Sequence, residues 1–176
     1  MQKKNMARYA LIVVFIFVLT VIQTTLLHSA EVFGVIPNLL LSCVVCYSLI
    51  KGDPKAIVFG IVCGLLLDFF GGRTVGVNTL LCMYTALLCV LLYGGLFNNN
   101  SFVAMLFIFV ISLVYELLIY FFNIFIWGYR GIWYALIYKI LPGSVYTALT
   151  ALLIYPVLKL LANEWLPKPK RRNFLR

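Results

Sequence analysis

Residues 55–70, KAIVFGIVCGLLLDFF, decide the fold, because only the first residue and Asp68 are charged in an otherwise apolar run. Asp53 and Pro54 precede the run. They suit the cap and the first position of a helix, since Asp accepts backbone N–H groups and Pro lacks one. A helix that crosses a bilayer needs about 20 apolar residues, and about 17 at the short end. The stretch therefore predicts a short transmembrane helix over residues 55–70.

The chain as a whole is strongly apolar. Of its 176 residues, 64% are hydrophobic and only 11% are charged, against about 25% charged in a typical soluble domain. The mean hydropathy is +1.06, so the chain lacks the polar surface that a soluble protein needs. The predicted fold class is all-α. We expect a polytopic membrane protein with six transmembrane helices in one bundle, forming a single membrane domain over residues 1–176 with short basic tails.

Turn residues divide the chain into six predicted spans. They lie at residues 8–27, 37–50, 55–70, 77–97, 102–127 and 142–161. The first span is too long for the apolar core of a cleaved signal peptide, so we expect it to be retained. Pro37 is placed in the first turn of the second span. Residues 128–141, which include Trp133 and Tyr134, are expected to lie in the outer interface of the membrane.

The distribution of Lys and Arg predicts the orientation. The net charge is +9, but the basic residues lie in short tracts between apolar runs, which argues against nucleic acid as a partner. With six spans and the N-terminus inside, eleven basic residues are cytoplasmic and three are outside. Without the short second span the numbers become six and eight. The positive-inside rule therefore favours six spans with both termini in the cytoplasm.

The basic C-terminal tail contains Lys168, Lys170, Arg171 and Arg172. Such a cluster next to a membrane span contacts anionic lipids and helps to fix the topology. A cytoplasmic protein partner is the alternative for this tail.

The sequence shows no motif of an enzyme or a metal site. The pair Cys43 and Cys46 has the spacing of a redox or metal motif. It lies within a predicted span, where a thiolate is costly, and no His or second Cys pair flanks it. We therefore expect packing roles for the cysteines, no catalysis and no cofactor.

Three predicted helices place a polar side chain in the outer half of the membrane. At about 1.5 Å per helical residue, Asp68 lies roughly 20 Å and Glu116 roughly 22 Å from the cytoplasmic face, and Gln23 reaches a similar height. Such groups usually face protein or water rather than lipid. Two interpretations stay open for this polar belt: an outward-facing pocket or partner dock, and an internal hydrogen-bond network that locks the bundle.

The third helix carries a face of small residues. Gly60, Gly64 and Asp68 recur at every fourth position and share one side of the helix. Gly-x-x-x-Gly spacing allows another backbone to approach closely. We therefore expect this face to be packed against a helix, with Arg73 close enough to neutralise Asp68.

An ordered set of motifs runs from Gln23 to Phe97: a Pro-Asn pair before the short second helix, the glycines and Asp of the third helix, and a glycine turn into the fourth. The set resembles the rod shape-determining protein MreD family. Glu116 is a looser counterpart of the family's acidic residue in the fifth helix. The residues that carry the resemblance are Gln23, Pro37, Asn38, Gly60, Gly64, Asp68, Gly72, Arg73 and Gly76.

The resemblance implies a non-enzymatic role in the bacterial cytoplasmic membrane. Proteins of this family bind the bitopic membrane protein MreC. Together these link MreB filaments to a wall synthase made of RodA and a class B penicillin-binding protein. We expect the single span of MreC to dock on a small-residue face, and the sequence is also compatible with a homodimer.

A transporter subunit is the alternative function. Substrate-binding subunits of energy-coupling-factor vitamin transporters are similar in size, have six helices and carry an outward-facing pocket, and the two families are expected to be similar in fold. Against this alternative, the first helix is bulky from Leu11 to Phe17 and lacks a small-residue pattern for docking a coupling subunit.

Overall fold

A computed structural model describes residues 14–26, 35–70, 76–92, 101–127 and 132–165. These residues form six helices, which confirms the predicted all-α class. We number them α1 (14–26), α2 (Leu39–Lys51), α3 (Lys55–Phe70), α4 (Val77–Leu92), α5 (Ser101–Trp127) and α6 (132–165). A π-helical turn, Ile22–Leu26, ends the described part of α1.

The short helix α2 is the centre of the structure. Eleven of its 13 residues are buried, and it packs against α3, α4, α5 and α6. Its Leu40 and Val44 also form a cluster with Ile16 of α1. A helix that is apolar on all sides lies either in a protein core or in a membrane, and here the rest of the bundle encloses it.

The start of α2 differs from the sequence prediction. Pro37 was expected in the first turn, but the helix begins at Leu39. Asn38 has non-helical backbone angles, and its side chain accepts a hydrogen bond from the Leu41 backbone N–H at 3.0 Å. Asn is among the best N-cap residues because of this bond. Pro37 therefore lies just before the cap, where it is buried.

A tight turn joins α2 to α3. Gly52 follows α2 with a left-handed φ of 56° and closes it through an N–H bond to the Ser48 carbonyl. The Asp53 carbonyl accepts from Ala56 at 2.8 Å. The Asp53 carboxylate lies 3.5 Å from the backbone nitrogen of Lys55, a long capping bond.

Helices α3 and α4 pack most closely of all, along the glycine face of α3. A Cβ atom on Gly64 would lie 2.5 Å from the Cα of Thr79, and one on Gly60 would lie 2.8 Å from the Cys82 carbonyl oxygen. The absent side chains let the two backbones touch. The face is therefore packed against a helix, as expected, and that helix is α4.

Helix α6 begins ten residues before the predicted start. It is continuous from Ile132–Ala135, through a π-helical turn at Leu136–Ile140, to Leu141–Trp165. Residues 132–141 are thus the first turns of the last helix rather than a separate segment. Their aromatic side chains remain outside the core, with Trp133 76% exposed and Tyr134 stacked on Tyr138 at 4.8 Å.

Two of the described helices have the length and composition to cross a membrane. In α5 the stretch is Met105–Phe122, with a mean hydropathy of 2.4, and in α6 it is Trp133–Lys159, with 1.5. Helices α2 and α4 are apolar but shorter. Bulky apolar side chains such as Phe69, Leu91 and Leu153 point away from the core, with 78%, 69% and 74% of their surface exposed.

Candidate functional site

The first polar site lies at the N-terminus of α4, which begins next to the end of α3. A helix start leaves four backbone N–H groups without a partner inside the helix. The residue before α4 is Gly76, with a φ of +93° and no side chain to offer as a cap. The cap must therefore come from another part of the chain.

Asp68 of α3 supplies this cap. One carboxylate oxygen accepts from the Asn78 backbone N–H at 3.1 Å and from its side-chain amide at 3.0 Å. The other accepts from the Thr79 backbone N–H at 3.0 Å and from the Thr79 hydroxyl. The Asp68 side chain, 4% exposed, is thus satisfied by four donors. A negative group also suits the positive end of the helix dipole.

The glycine face of α3 sets the geometry of this cap. Gly64 lies one helical turn before Asp68 and holds the α3 backbone against Asn78 and Thr79. A larger residue would move Asp68 away from the two N–H groups. The packing of the glycines and the hydrogen bonds of the carboxylate are therefore one structural unit.

The network extends from α4 to α5. The Tyr115 hydroxyl donates to the Asn78 side-chain oxygen at 2.8 Å, and the Cys82 thiol lies 3.9 Å from the same hydroxyl. Tyr115 is 2% exposed. Three consecutive helices are thus joined through Asn78, which donates to Asp68 and accepts from Tyr115.

The second polar site lies at the N-terminus of α2. The Gln23 side-chain oxygen accepts from the Leu40 backbone N–H at 3.1 Å, beside the bond from Leu41 to Asn38. Gln23 lies within the π-helical turn of α1, a feature that is frequent at functional sites. Two helices therefore contribute to a cap at the centre of the protein.

Helix α6 completes this second site. The Asn38 backbone N–H donates to the Thr147 hydroxyl at 3.1 Å, and the Ser42 hydroxyl donates to the Thr147 carbonyl at 3.1 Å. Ser42 and Thr147 are fully buried. The Asn38 side chain lies near the Tyr115 hydroxyl, so the two sites approach each other there.

The three residues of the predicted belt occupy different positions. Asp68 and Gln23 belong to separate caps, and among the described hydrogen bonds none joins them to Glu116. Glu116 is partly buried on α5, next to Tyr115. The α5 side chain that enters the network is Tyr115, and a role for Glu116 stays a prediction.

Several predicted site residues lie outside the described part of the chain. These are Gly72, Arg73 and the tail residues Lys168, Lys170, Arg171 and Arg172. The predicted neutralisation of Asp68 by Arg73 is therefore not described. The donors that the structure does show are the amides and the hydroxyl of α4.

Sequence reasoning missed four of the network residues: Ser42, Thr79, Tyr115 and Thr147. All are polar side chains without charge, which are common in apolar helices. A signal existed for Thr79, because Asn78 and Thr79 follow a glycine at a helix start. No comparable signal marked Thr147, whose role depends on where α6 packs.

In both sites, side-chain oxygens accept hydrogen bonds from backbone N–H groups, as they do in structural helix caps. Among the described residues, no group of three or more His, Cys, Asp or Glu side chains could hold a metal ion. All five cysteines are buried and free of disulfides. The sites therefore fix helix ends and hold α1, α2, α3, α4, α5 and α6 in register.

The comparison with family models identifies the chain. The model of the rod shape-determining protein MreD matches residues 3–165. The chain therefore belongs to the MreD family, as the motifs from Gln23 to Phe97 indicate. No curated protein and no solved structure matches the chain. Family membership and the long apolar helices α5 and α6 together indicate an integral membrane protein.

Proposed function

We propose that this member of the MreD family is a non-enzymatic scaffold of the bacterial cell-elongation machinery. It binds MreC in the membrane and helps to couple MreB filaments to the wall synthase of RodA and a class B penicillin-binding protein. It crosses the cytoplasmic membrane six times with both termini in the cytoplasm. The family match supports the rod-shape role, and the charge distribution supports the orientation.

The observation that carries a scaffold rather than a transport role is that two residues of the polar belt, Asp68 and Gln23, form hydrogen bonds inside the bundle. Both oxygens of Asp68 and the side-chain oxygen of Gln23 accept backbone N–H groups at helix starts. A substrate that bound these groups would have to displace two helix caps. The same residues therefore favour a rigid platform over the substrate pocket of a transporter subunit.

The docking face for the span of MreC must lie outside the α3–α4 glycine contact. Apolar side chains at helical spacing are exposed on α3, α4, α5 and α6, and lipid or a partner helix covers them in the membrane. Representative positions, one on each helix, are Val62, Leu88, Val110 and Leu149, each 41–51% exposed. Because a single helix covers about one side of a bundle, it contacts only some of these four positions.

Site-specific photo-crosslinking in living cells tests the proposal. A photoreactive residue is introduced separately at Val62, Leu88, Val110 and Leu149, and the crosslinked products are identified by mass spectrometry. The proposal expects a bitopic coiled-coil protein to be captured at one or two adjacent positions and not at the others. Cys43, which is buried in α2, serves as the control position that reaches no partner.

Two outcomes would contradict the scaffold role. One is the recovery of ATPase subunits and a coupling protein, which belong to a vitamin transporter. The other is the absence of any protein product at all four positions in cells that contain MreC at normal levels. Measuring the membrane level of each variant excludes loss of the protein as a cause.

A further inference from the structure

A groove lies between α5 and α6, away from both capped helix starts. Its volume is about 240 Å³, and its lining residues are Met105, Ile108, Ala151, Leu152, Tyr155, Pro156 and Lys159. Ile108 and Ala151 form its buried floor, each 1% exposed, whereas Leu152 on its rim is 43% exposed. The groove therefore opens sideways from the bundle, toward the lipid.

Its walls are apolar, but one end carries a positive charge. Lys159 is partly buried, and its amino group lies 5.8 Å from the ring centroid of Tyr155. A partly buried Lys can keep its methylenes on apolar side chains while its amino group stays available to a polar partner.

The helix positions place this charge at one end of the groove. Met105 lies four residues after the start of α5, and Lys159 lies six residues before the end of α6. The groove is thus at the end of the bundle where α5 begins and α6 ends. In the proposed topology this is the cytoplasmic side, where the membrane surface is negative.

We propose that the groove binds one anionic phospholipid, with part of an acyl chain on Ile108 and Ala151 and its phosphate at Lys159. Pockets that enclose small molecules have volumes of about 300–1,000 Å³, so this smaller, open groove fits part of a chain. Basic pockets between transmembrane helices on the cytoplasmic side bind anionic head groups. The location within the membrane rests on the proposed topology, but the lipid contact does not depend on MreC.

Native mass spectrometry of the purified full chain tests this site. The protein is titrated with phosphatidylglycerol and, separately, with zwitterionic phosphatidylcholine of the same acyl chains. We expect one preferred phosphatidylglycerol adduct. In Lys159→Gln its affinity falls about fivefold, the loss typical of one Lys at a membrane surface. Lys55→Gln, at an exposed Lys on the same predicted side, removes the same charge and should leave the affinity within about twofold.

A second variant tests the groove itself. Met105→Trp retains the charge of Lys159 but fills the space above Ile108, so it should also weaken the adduct. Equal losses in Lys159→Gln and Lys55→Gln, equal binding of the two lipids, or unchanged binding in Met105→Trp would each overturn the site. Displacement of the lipid by millimolar inorganic phosphate would show an anion site instead. Failure of partner crosslinking leaves this experiment unaffected, because no partner is present in it.

Discussion

The N-termini of α2 and α4 are both capped by side chains from other parts of the chain, but in different ways. At α4 a single carboxylate, Asp68, accepts four hydrogen bonds. At α2 two neutral side chains, Gln23 and Asn38, each accept one backbone N–H group, and the Thr147 hydroxyl accepts the Asn38 N–H. One residue therefore provides the stabilisation of the α4 cap, whereas two residues share it at the α2 cap. We call these the concentrated and the distributed cap.

This difference follows from where the two helices lie. Helix α4 is buried on one side only, and the backbone N–H groups at its start are bonded to one neighbour, α3. Helix α2 is enclosed, so its start meets α1 and α6 together. Burying a charge is costly unless its hydrogen bonds are complete, and the Asp68 network meets that condition. The α2 cap uses neutral amides and avoids this cost.

The largest effect is expected for Asp68→Ala. It leaves the N–H groups of Asn78 and Thr79 without their acceptor, and a buried unsatisfied donor costs about 1–3 kcal/mol. We expect a loss of about 3 kcal/mol in the free energy of unfolding, measured by Trp fluorescence in mixed detergent micelles.

Two further variants sharpen this measurement. Asp68→Asn keeps the shape but replaces one acceptor by a donor, so its loss should be intermediate. Asp53→Ala removes the long capping bond at the start of α3 and should cost about 0.5 kcal/mol. A loss for Asp68→Ala no greater than that for Asp53→Ala would contradict the concentrated cap.

Gly64→Ala should have the next largest effect. The added methyl would lie 2.5 Å from the Cα of Thr79, and because backbone cannot rotate away, α3 and α4 must separate. Overpacking of this kind costs about 1–3 kcal/mol, and here it also disturbs the Asp68 cap. The same unfolding measurement checks it.

Gly143→Ala is the matched control for this prediction. Its methyl would lie 3.1 Å from a side-chain methyl of Val35, which can shift. A similar loss in both variants would mean that side-chain crowding, and not the α3–α4 backbone contact, sets the stability.

The sequence predicted which face of α3 is packed, although not that α4 packs there, and it predicted less of the α2 cap. Gly60, Gly64 and Asp68 repeat at a helical period within one helix, so their shared face is visible without the fold. Asp68 and Asn78 are also only ten residues apart. By contrast, Thr147 is 109 residues from Asn38, and no local pattern connects them.

The sequence also did not predict that α2 lies at the centre of the bundle. Lipid and protein interior are both apolar, so hydropathy alone cannot distinguish a helix facing lipid from one enclosed by other helices. Charge on the two sides of a span predicts its orientation but not its neighbours. Glu116 was predicted as the polar residue of α5 because it is charged within an apolar helix. The neutral hydroxyl of the adjacent Tyr115 forms the hydrogen bond to Asn78.

Removing one of the two acceptors at the start of α2 should lower the free energy of unfolding less than removing Asp68. Asn38→Ala frees one N–H of α2, and loss of an N-cap side chain costs about 1 kcal/mol. Gln23→Ala should cost about the same, because it frees the adjacent N–H. Unfolding of both single variants and of the double variant checks this, and the two losses should add to within about 0.5 kcal/mol if each acceptor serves its own N–H. A single variant as damaging as Asp68→Ala would show that the α2 cap is concentrated as well.

An effect no larger than that of either α2 cap variant is expected for Tyr115→Phe, which tests whether the two caps communicate. The variant keeps the ring but removes the hydroxyl that donates to Asn78 at 2.8 Å, so it should cost about 1 kcal/mol. Tyr84→Phe, at a position 58% exposed on α4, is the control and should be neutral. If Tyr115 joins the caps, the loss from Asp68→Ala should be smaller in the Tyr115→Phe background, because Asn78 is then already released on one side. Strictly additive losses would instead show that each helix start is stabilised independently, with Tyr115 acting only on Asn78.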